Sequence, residues 1–139
     1  MKRKTFLTLT SVITLSIGCF ALASPGTLIA SVKHAAPSQT ADVMARTVGV
    51  LLIAIGVLNF LIKDHADSKT LRAVLIANLA LQIGILPIDP LAYASGVFRT
   101  LGSFAPNTAL HVLLAFGFGY YLVQMTRAAS LERPPSLLE

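Results

Sequence analysis

Residues 43–62 read VMARTVGVLLIAIGVLNFLI, and this stretch decides the fold class. It carries one charge, Arg46, near its start and no charge after it. At a helical rise of about 1.5 Å per residue, about 20 residues are enough to cross the hydrocarbon core of a bilayer. The stretch therefore predicts a transmembrane helix.

Three other apolar stretches resemble the first, and together the four account for most of the chain. They lie at residues 5–23, 70–88 and 107–125. Only 12% of the residues are charged, whereas soluble domains carry about 25%. We therefore expect an all-α polytopic membrane protein, a four-transmembrane-helix bundle that forms a single membrane domain over residues 1–139.

The connection between the third and fourth spans is itself partly apolar. Val97, Leu101 and Phe104 alternate there with polar residues. This spacing predicts a short helix lying in the membrane interface, after Pro87 breaks the third span and Asp89 with Pro90 stops it.

The first apolar stretch has two interpretations. The basic start at residues 2–4, the apolar residues 5–23 and a possible cleavage site at residues 21–23 are typical of a secretory signal peptide. The alternative is a retained first span. Cleavage would leave three spans, whereas retention gives the four-helix bundle.

The basic residues predict the topology. With the N-terminus inside, eight lie inside and three lie outside, so both termini are expected to be cytoplasmic. The inside group is Lys2, Arg3, Lys4, Lys63, Lys69, Arg72, Arg127 and Arg133, and the outside group is Lys33, Arg46 and Arg99. The net charge is +5, but the basic residues are not interleaved with aromatic residues and form no basic stripe. This pattern argues against a nucleic-acid partner.

Ionisable groups inside a span are candidate functional residues because burying them in lipid is costly. Arg46, Asp89 and His111 are predicted at one depth near the outer face, and Gln82 shares a helix face with Asp89. We hypothesise that Arg46 pairs with Asp89 while His111 exchanges protons or holds a head group. The alternative is structural: Arg46 reaches to the interface, and Asp89 and His111 satisfy local backbone groups.

Small and amide residues predict where helices pack. Gly49, Gly56 and Asn59 share one face of the second span, and Asn78 lies with Gln82 on one face of the third. Small residues let another helix approach closely, and amides form interhelical hydrogen bonds. We expect a protein partner or a homo-oligomer through the Gly49/Gly56 face, with membrane lipid around the rest.

The pattern Ala45-Arg46-x-x-Gly49-x-x-Leu52-x-x-x-Gly56, with Leu71-Arg72-Ala73 opening the third span, resembles small bacterial four-helix membrane proteins of the DoxX-like kind and related uncharacterised families. The resemblance implies a four-helix bundle in the bacterial cytoplasmic (inner) membrane. Some DoxX relatives are associated with quinone or thiol redox complexes, but Cys19 is the single cysteine here, so the chain has no redox cysteine pair of its own and we do not expect that role. The resemblance carries over no catalytic residue.

The sequence contains no phosphate loop, nucleophile elbow or metal-ligand cluster, so we predict no cofactor, no metal and no catalytic residues. The first hypothesis for function is an accessory or interaction subunit of a larger membrane complex. The alternative is a binding or transport module for a lipid, a quinone or another apolar ligand, with a polar site at the outer membrane face. A membrane enzyme ranks last.

Overall fold

The computed structural model describes residues 1–131, and this range consists of helices and their connections. In chain order the helices are α1 (Arg3–Ala23), α2 (Pro25–Thr27), α3 (Gln39–Ile62), α4 (Lys69–Ile85), α5 (Ile88–Ala94) and α6 (Ala105–Leu131). A π-helical turn, Leu28–Val32, follows α2, and a 3₁₀ turn, Leu101–Ser103, precedes α6. Arg133, which was counted in the topology prediction, lies outside the described residues.

Four helical segments are long and apolar enough to cross a membrane. They are Arg3–Ala23, Gln39–Ile62, Lys69–Ala94 and Ala105–Ala128. This confirms the predicted all-α, four-helix fold class, and the four segments indicate a multi-pass membrane protein.

Serine caps define the start of two spans. The Ser38 hydroxyl accepts a hydrogen bond from the Ala41 backbone N–H at 3.1 Å, so α3 begins at Gln39 rather than at residue 43. The Ser68 hydroxyl accepts from the Leu71 N–H at 3.1 Å in the same way and starts α4. Capping thus lengthens the second span beyond its apolar stretch.

The prolines at the end of the third span act differently from the prediction. The α-helix is interrupted at Leu86 and Pro87, as expected, but a new helix, α5, starts at Ile88, and Pro90 lies inside its first turn. Proline is tolerated there because the first N–H groups of a helix have no intrahelical partner. The short helix therefore precedes the residues predicted to form it: Val97 and Phe104 lie outside any helix, and Leu101 lies in the separate 3₁₀ turn. Helix α5 ends before Gly96, whose φ of +79° suits glycine.

The spans pair into two helical hairpins. The first hairpin is α1 packed along α3, and the second hairpin is α4 packed along α6. Gly18 and Gly49 face each other across the first hairpin, where a Cβ on Gly49 would lie 2.8 Å from the Gly18 carbonyl oxygen. These two helices therefore touch backbone to backbone.

The hydrophobic core lies at the N-terminal end of the bundle, which also holds the start of α1, the α3–α4 turn and the last turns of α6. All four long helices contribute to it. The core residues are Phe6, Leu7, Ile62, Leu71, Leu75, Phe118, Tyr121 and Met125. The opposite, distal end holds the ends of α1 and α4, all of α2 and α5, and the starts of α3 and α6, and its buried groups are largely polar.

The serines and threonines of α1 are compatible with burial in the bundle. Thr10, Ser11 and Thr14 are buried, and each hydroxyl donates to the backbone carbonyl four residues earlier at 2.7–2.9 Å. These internal bonds satisfy the hydroxyls without a partner helix. The polar composition of the first apolar stretch is therefore consistent with a packed transmembrane helix.

Candidate functional site

Asp89 is the centre of the polar cluster at the distal end. Its side chain lies in the first turn of α5 and is buried. The same carboxylate oxygen, Oδ2, accepts from Lys33 Nζ at 2.8 Å and from Asn107 Nδ2 at 2.7 Å. Lys33 comes from the connection before α3, and Asn107 comes from the first turn of α6. The carboxylate therefore ties both hairpins together at this end.

A second polar contact lies one helical turn further along α6. His111 Nδ1 lies 2.5 Å from the Oε1 of Gln82, which is buried on α4. An amide carbonyl oxygen can only accept, so the proton of this hydrogen bond is on Nδ1. Asn107 and His111 are four residues apart, so they project from one face of α6 and form two successive contacts with the α4–α5 segment. We call Lys33, Gln82, Asp89, Asn107 and His111 the distal polar cluster.

The structure brings together three of the four predicted site residues. Gln82, Asp89 and His111 belong to the distal polar cluster, but Arg46 does not. Arg46 is exposed on α3, and the carboxylate that we hypothesised as its partner is bonded to Lys33 instead. The Arg46–Asp89 pair is therefore corrected to a Lys33–Asp89 pair. The physical reason is that α3 begins at Gln39, which moves Arg46 further into the span.

Sequence reasoning missed two members of the distal polar cluster. Asn107 stands four residues before His111, a spacing that was visible in the sequence and that places both on one helix face. Lys33 has no such local signal. Its contact with Asp89 joins positions 56 residues apart, and it depends on how the connection after the π-helical turn folds back.

The two asparagines predicted to help helix packing form a reciprocal pair. Asn59 Nδ2 donates to Asn78 Oδ1 and Asn78 Nδ2 donates to Asn59 Oδ1, both at 3.0 Å. Asn78 Nδ2 also donates to the Val74 carbonyl at 2.9 Å. Both side chains are buried. Because α3 and α4 belong to different hairpins, this pair joins the hairpins between the core and the distal polar cluster.

The Gly49/Gly56 face lies against α1. A Cβ on Gly49 would lie 3.0 Å from the Leu22 backbone nitrogen, and a Cβ on Gly56 would lie 2.7 Å from Leu15 Cγ. The expectation that this face receives a protein partner or a second copy is therefore corrected. Its neighbour is another helix of the same chain, because the Gly18 backbone in α1 supplies the complementary small surface.

Ion pairs close the N-terminal end of the bundle. Arg3 forms an ion pair with Asp67 and donates to the His65 carbonyl at 2.8 Å, while Lys4 Nζ lies 2.7 Å from an Asp64 carboxylate oxygen. The hydrogen bond from Lys4 is the main cause that holds the pKa of the Asp64 carboxyl below its ordinary value, with Lys63 contributing to the same effect. These contacts attach the start of α1 to the α3–α4 turn.

Two open grooves run beside α6. The long groove has a volume of about 640 Å³ and extends from Leu86 and Val112 towards Arg127 along a face that includes Ala115 and Gly119. The short groove, of about 270 Å³, lies between α4 and α6 near the N-terminal end. It is lined by Arg72, Ile76, Leu122, Val123, Thr126 and Arg127. Neither groove includes a carboxylate or an imidazole in its lining.

Within residues 1–131, no group of three or more His, Cys, Asp or Glu side chains is arranged to hold a metal ion. The members of the distal polar cluster contact each other through hydrogen bonds and one ion pair. No protein-family model matches this chain, and the comparisons with curated proteins and with solved structures also returned no match.

Proposed function

We propose that this protein is an accessory or interaction subunit of a larger membrane complex, and that the long groove beside α6 receives a transmembrane helix of the partner. The long groove is the observation that supports this proposal. Ala115 and Gly119 stand four residues apart in its lining, and a Cβ added to Gly119 would meet no atom within 4 Å. A small-xxx-small pair on an open helix face lets a second helix approach closely.

The buried polar groups support the same proposal. Three buried or half-buried groups of amide, imidazole and carboxylate side chains bond among themselves: Asn59 with Asn78, Gln82 with His111, and Asp89 with Lys33 and Asn107. Outside these groups, Asp42 Oδ1 and Thr108 Oγ1 are buried without a hydrogen-bond partner among residues 1–131. A buried polar group that is already paired offers little to a ligand. The apolar groove beside α6 is therefore the better candidate for an interaction.

The alternative function, binding or transport of an apolar ligand at a polar outer site, needs a cavity that reaches the distal polar cluster. The linings of the two grooves include neither Asp89 nor His111. We therefore favour the interaction function over the binding function. The proposed orientation keeps both termini in the cytoplasm of a bacterium with the bundle in its inner membrane, which the charge bias supports.

Photo-crosslinking in native membranes tests the proposal. A benzophenone amino acid replaces Phe116, which is 74% exposed on the face of the long groove, or Leu51, which is 58% exposed on α3. We expect one discrete crosslinked product from position 116 and only diffuse lipid adducts from position 51. The mass of the product distinguishes a different protein from a second copy of this chain.

A matched pair of glycine variants sharpens the experiment. Gly119→Leu fills the long groove, whereas Gly84→Leu adds the same side chain at another open position on α4. We expect Gly119→Leu to abolish the product from position 116 and Gly84→Leu to retain it. Equal products from positions 116 and 51, or a product that survives Gly119→Leu, would contradict the proposal.

A further inference from the structure

The short groove combines an apolar wall with two cationic side chains at one end. Ile76 on α4 and Leu122 with Val123 on α6 form the apolar wall. Arg72 and Arg127 line the same groove, and both are exposed. An amphipathic molecule with an acyl chain and a negatively charged head group matches this arrangement, because its chain covers the apolar wall while its head group meets the arginines.

The charges at this site are not balanced within the described part of the chain. Among residues 1–131, neither Arg72 nor Arg127 forms an ion pair. The first turn of α4 contains no acidic residue, and Arg72 lies close to that positive helix end. A cation near the start of a helix is unfavourable because of the helix dipole, and a bound anion offsets this cost.

The donors available to such an anion are the guanidinium groups. The Thr126 hydroxyl already donates to the Leu122 carbonyl at 3.0 Å. A guanidinium presents a planar fork of N–H donors that fits the geometry of two phosphate oxygens. Two arginines in one groove therefore select a phosphate group over an uncharged polar head group.

We infer that the short groove is a binding site for an acidic phospholipid of the leaflet at the N-terminal end, with the phosphate between Arg72 and Arg127 and one acyl chain along Ile76, Leu122 and Val123. The site is separate from the distal polar cluster, which lies at the other end of the bundle. It adjoins the helix-docking surface proposed on the long groove and shares Val123 and Arg127 with it, but that surface takes up an apolar helix and needs no anion.

Native mass spectrometry of the full chain, released from nanodiscs of stated composition, tests this inference. The nanodiscs contain equal amounts of phosphatidylglycerol and phosphatidylcholine. We expect one phosphatidylglycerol to be retained per chain, with at least tenfold preference over phosphatidylcholine. Arg72→Gln and Arg127→Gln are each expected to weaken retention about fivefold, since each removes one solvent-exposed ionic contact with the bound phosphate, and such a contact contributes up to about that factor.

Lys69→Gln is the matched control, because Lys69 is an exposed basic residue at the same end that does not line the short groove. It should leave retention unchanged. If Lys69→Gln weakens retention as much as the arginine variants do, or if the two lipids are retained equally, the inference is wrong. Circular dichroism melts of the three variants, all at exposed positions, show whether each is folded.

A competition with inorganic phosphate separates a lipid site from a site for the free anion. We expect millimolar phosphate to leave the retained phosphatidylglycerol in place, because the acyl chain holds the lipid in the groove. Displacement by phosphate at constant ionic strength, with no displacement by the same concentration of chloride, would overturn the lipid assignment and indicate a free-anion site.

Discussion

The two hairpins of this protein are held together by different means. In the first hairpin, α1 and α3 touch through Gly18 and Gly49, and a Cβ on either glycine would lie 2.8 Å from the carbonyl oxygen of the other. In the second hairpin, Gly84 and Gly119 have open space around them, and polar contacts such as Gln82–His111 link α4 and α6. The first hairpin is therefore packed through its backbone, whereas the second depends on side chains.

This difference affects how easily each hairpin can accommodate another molecule. Backbone contact through small residues leaves no space for an inserted group, so the first hairpin acts as a rigid pair. The second hairpin keeps grooves beside α6, and polar side-chain contacts rather than backbone contacts link its two helices. We expect interactions with other molecules to involve the second hairpin, and the following variants test the comparison.

The largest expected effect comes from filling the glycine contact. Gly49→Leu places a side chain against the α1 backbone, which cannot move aside as a flexible side chain would. We expect a loss of at least about 3 kcal/mol in the free energy of unfolding, the upper part of the range for overpacked cores. Reversible unfolding in a mild detergent, followed by circular dichroism, measures it.

Gly84→Leu is the matched control in the second hairpin. No atom lies within 4 Å of a Cβ built there, so we expect a change between zero and a gain of about 1 kcal/mol from helix propensity. Equal destabilisation by Gly49→Leu and Gly84→Leu would show that the hairpins do not differ in packing.

The next effect concerns the joint between the hairpins. Asn59→Ala or Asn78→Ala leaves one buried amide without its reciprocal partner, and we expect each to cost about 1–2 kcal/mol. The double variant should cost less than the sum, with a coupling of about 1 kcal/mol. Gln124→Ala, which removes an exposed amide, should change stability by less than about 0.5 kcal/mol. Additive losses would mean that the two amides do not interact.

A smaller effect is expected at the distal polar cluster. A double-mutant cycle of Lys33→Met and Asp89→Asn should give a coupling of about 1 kcal/mol, since the pair is partly buried. The same cycle with Arg46→Met in place of Lys33→Met should be additive within about 0.5 kcal/mol. Coupling of Asp89 to Arg46 and not to Lys33 would restore the pair that we hypothesised from the sequence.

The smallest effect is a pH dependence at the N-terminal end. The pKa of Asp64 is held below its ordinary value by the hydrogen bond from Lys4, so the carboxylate contributes stability above the unfolded-state pKa of about 3.8. This contribution is lost as the pH falls through the lower folded-state pKa. The melting temperature of the wild type should exceed that of Asp64→Asn near neutral pH, and the difference should shrink below pH ~4.

Lys4→Gln provides the control for this pH effect. Without the Lys4 ammonium, the main cause of the lowered pKa is absent, so Asp64→Asn in that background should alter the pH profile less. Because Asp64 is exposed, solvent screens the pair and the effect is small. A wild-type advantage that is the same at pH 3 and pH 7 would rule out the titration of Asp64 as its source.

The sequence was sufficient to predict the four spans, because a long apolar stretch has few alternatives to a transmembrane helix. The contacts between helices were harder to predict from the sequence. Gly49 predicts that some helix comes close, but its neighbour Gly18 lies in the stretch that also resembles a signal peptide. Lys33 and Asp89 meet because the connection that carries Lys33 folds back. The periodicity of a helix face cannot predict the contacts of a residue that lies outside a helix. Short-range periodicity thus predicts faces, whereas long-range contacts need the folded chain.

The contact between Tyr121 and the first residue has a consequence for synthesis. The Tyr121 hydroxyl donates to the Met1 carbonyl at 2.7 Å, across 120 positions of the chain. Gly18 and Gly49 are both made long before Tyr121, and at about 5–20 residues per second the later of the two, Gly49, precedes it by roughly 4–14 s. During this interval α1 and α3 can already pair at the translocon, whereas the aromatic residues of α1 can contact α6 only after α6 has been made. The order of translation therefore allows the glycine hairpin to pair before the core around Tyr121 can form.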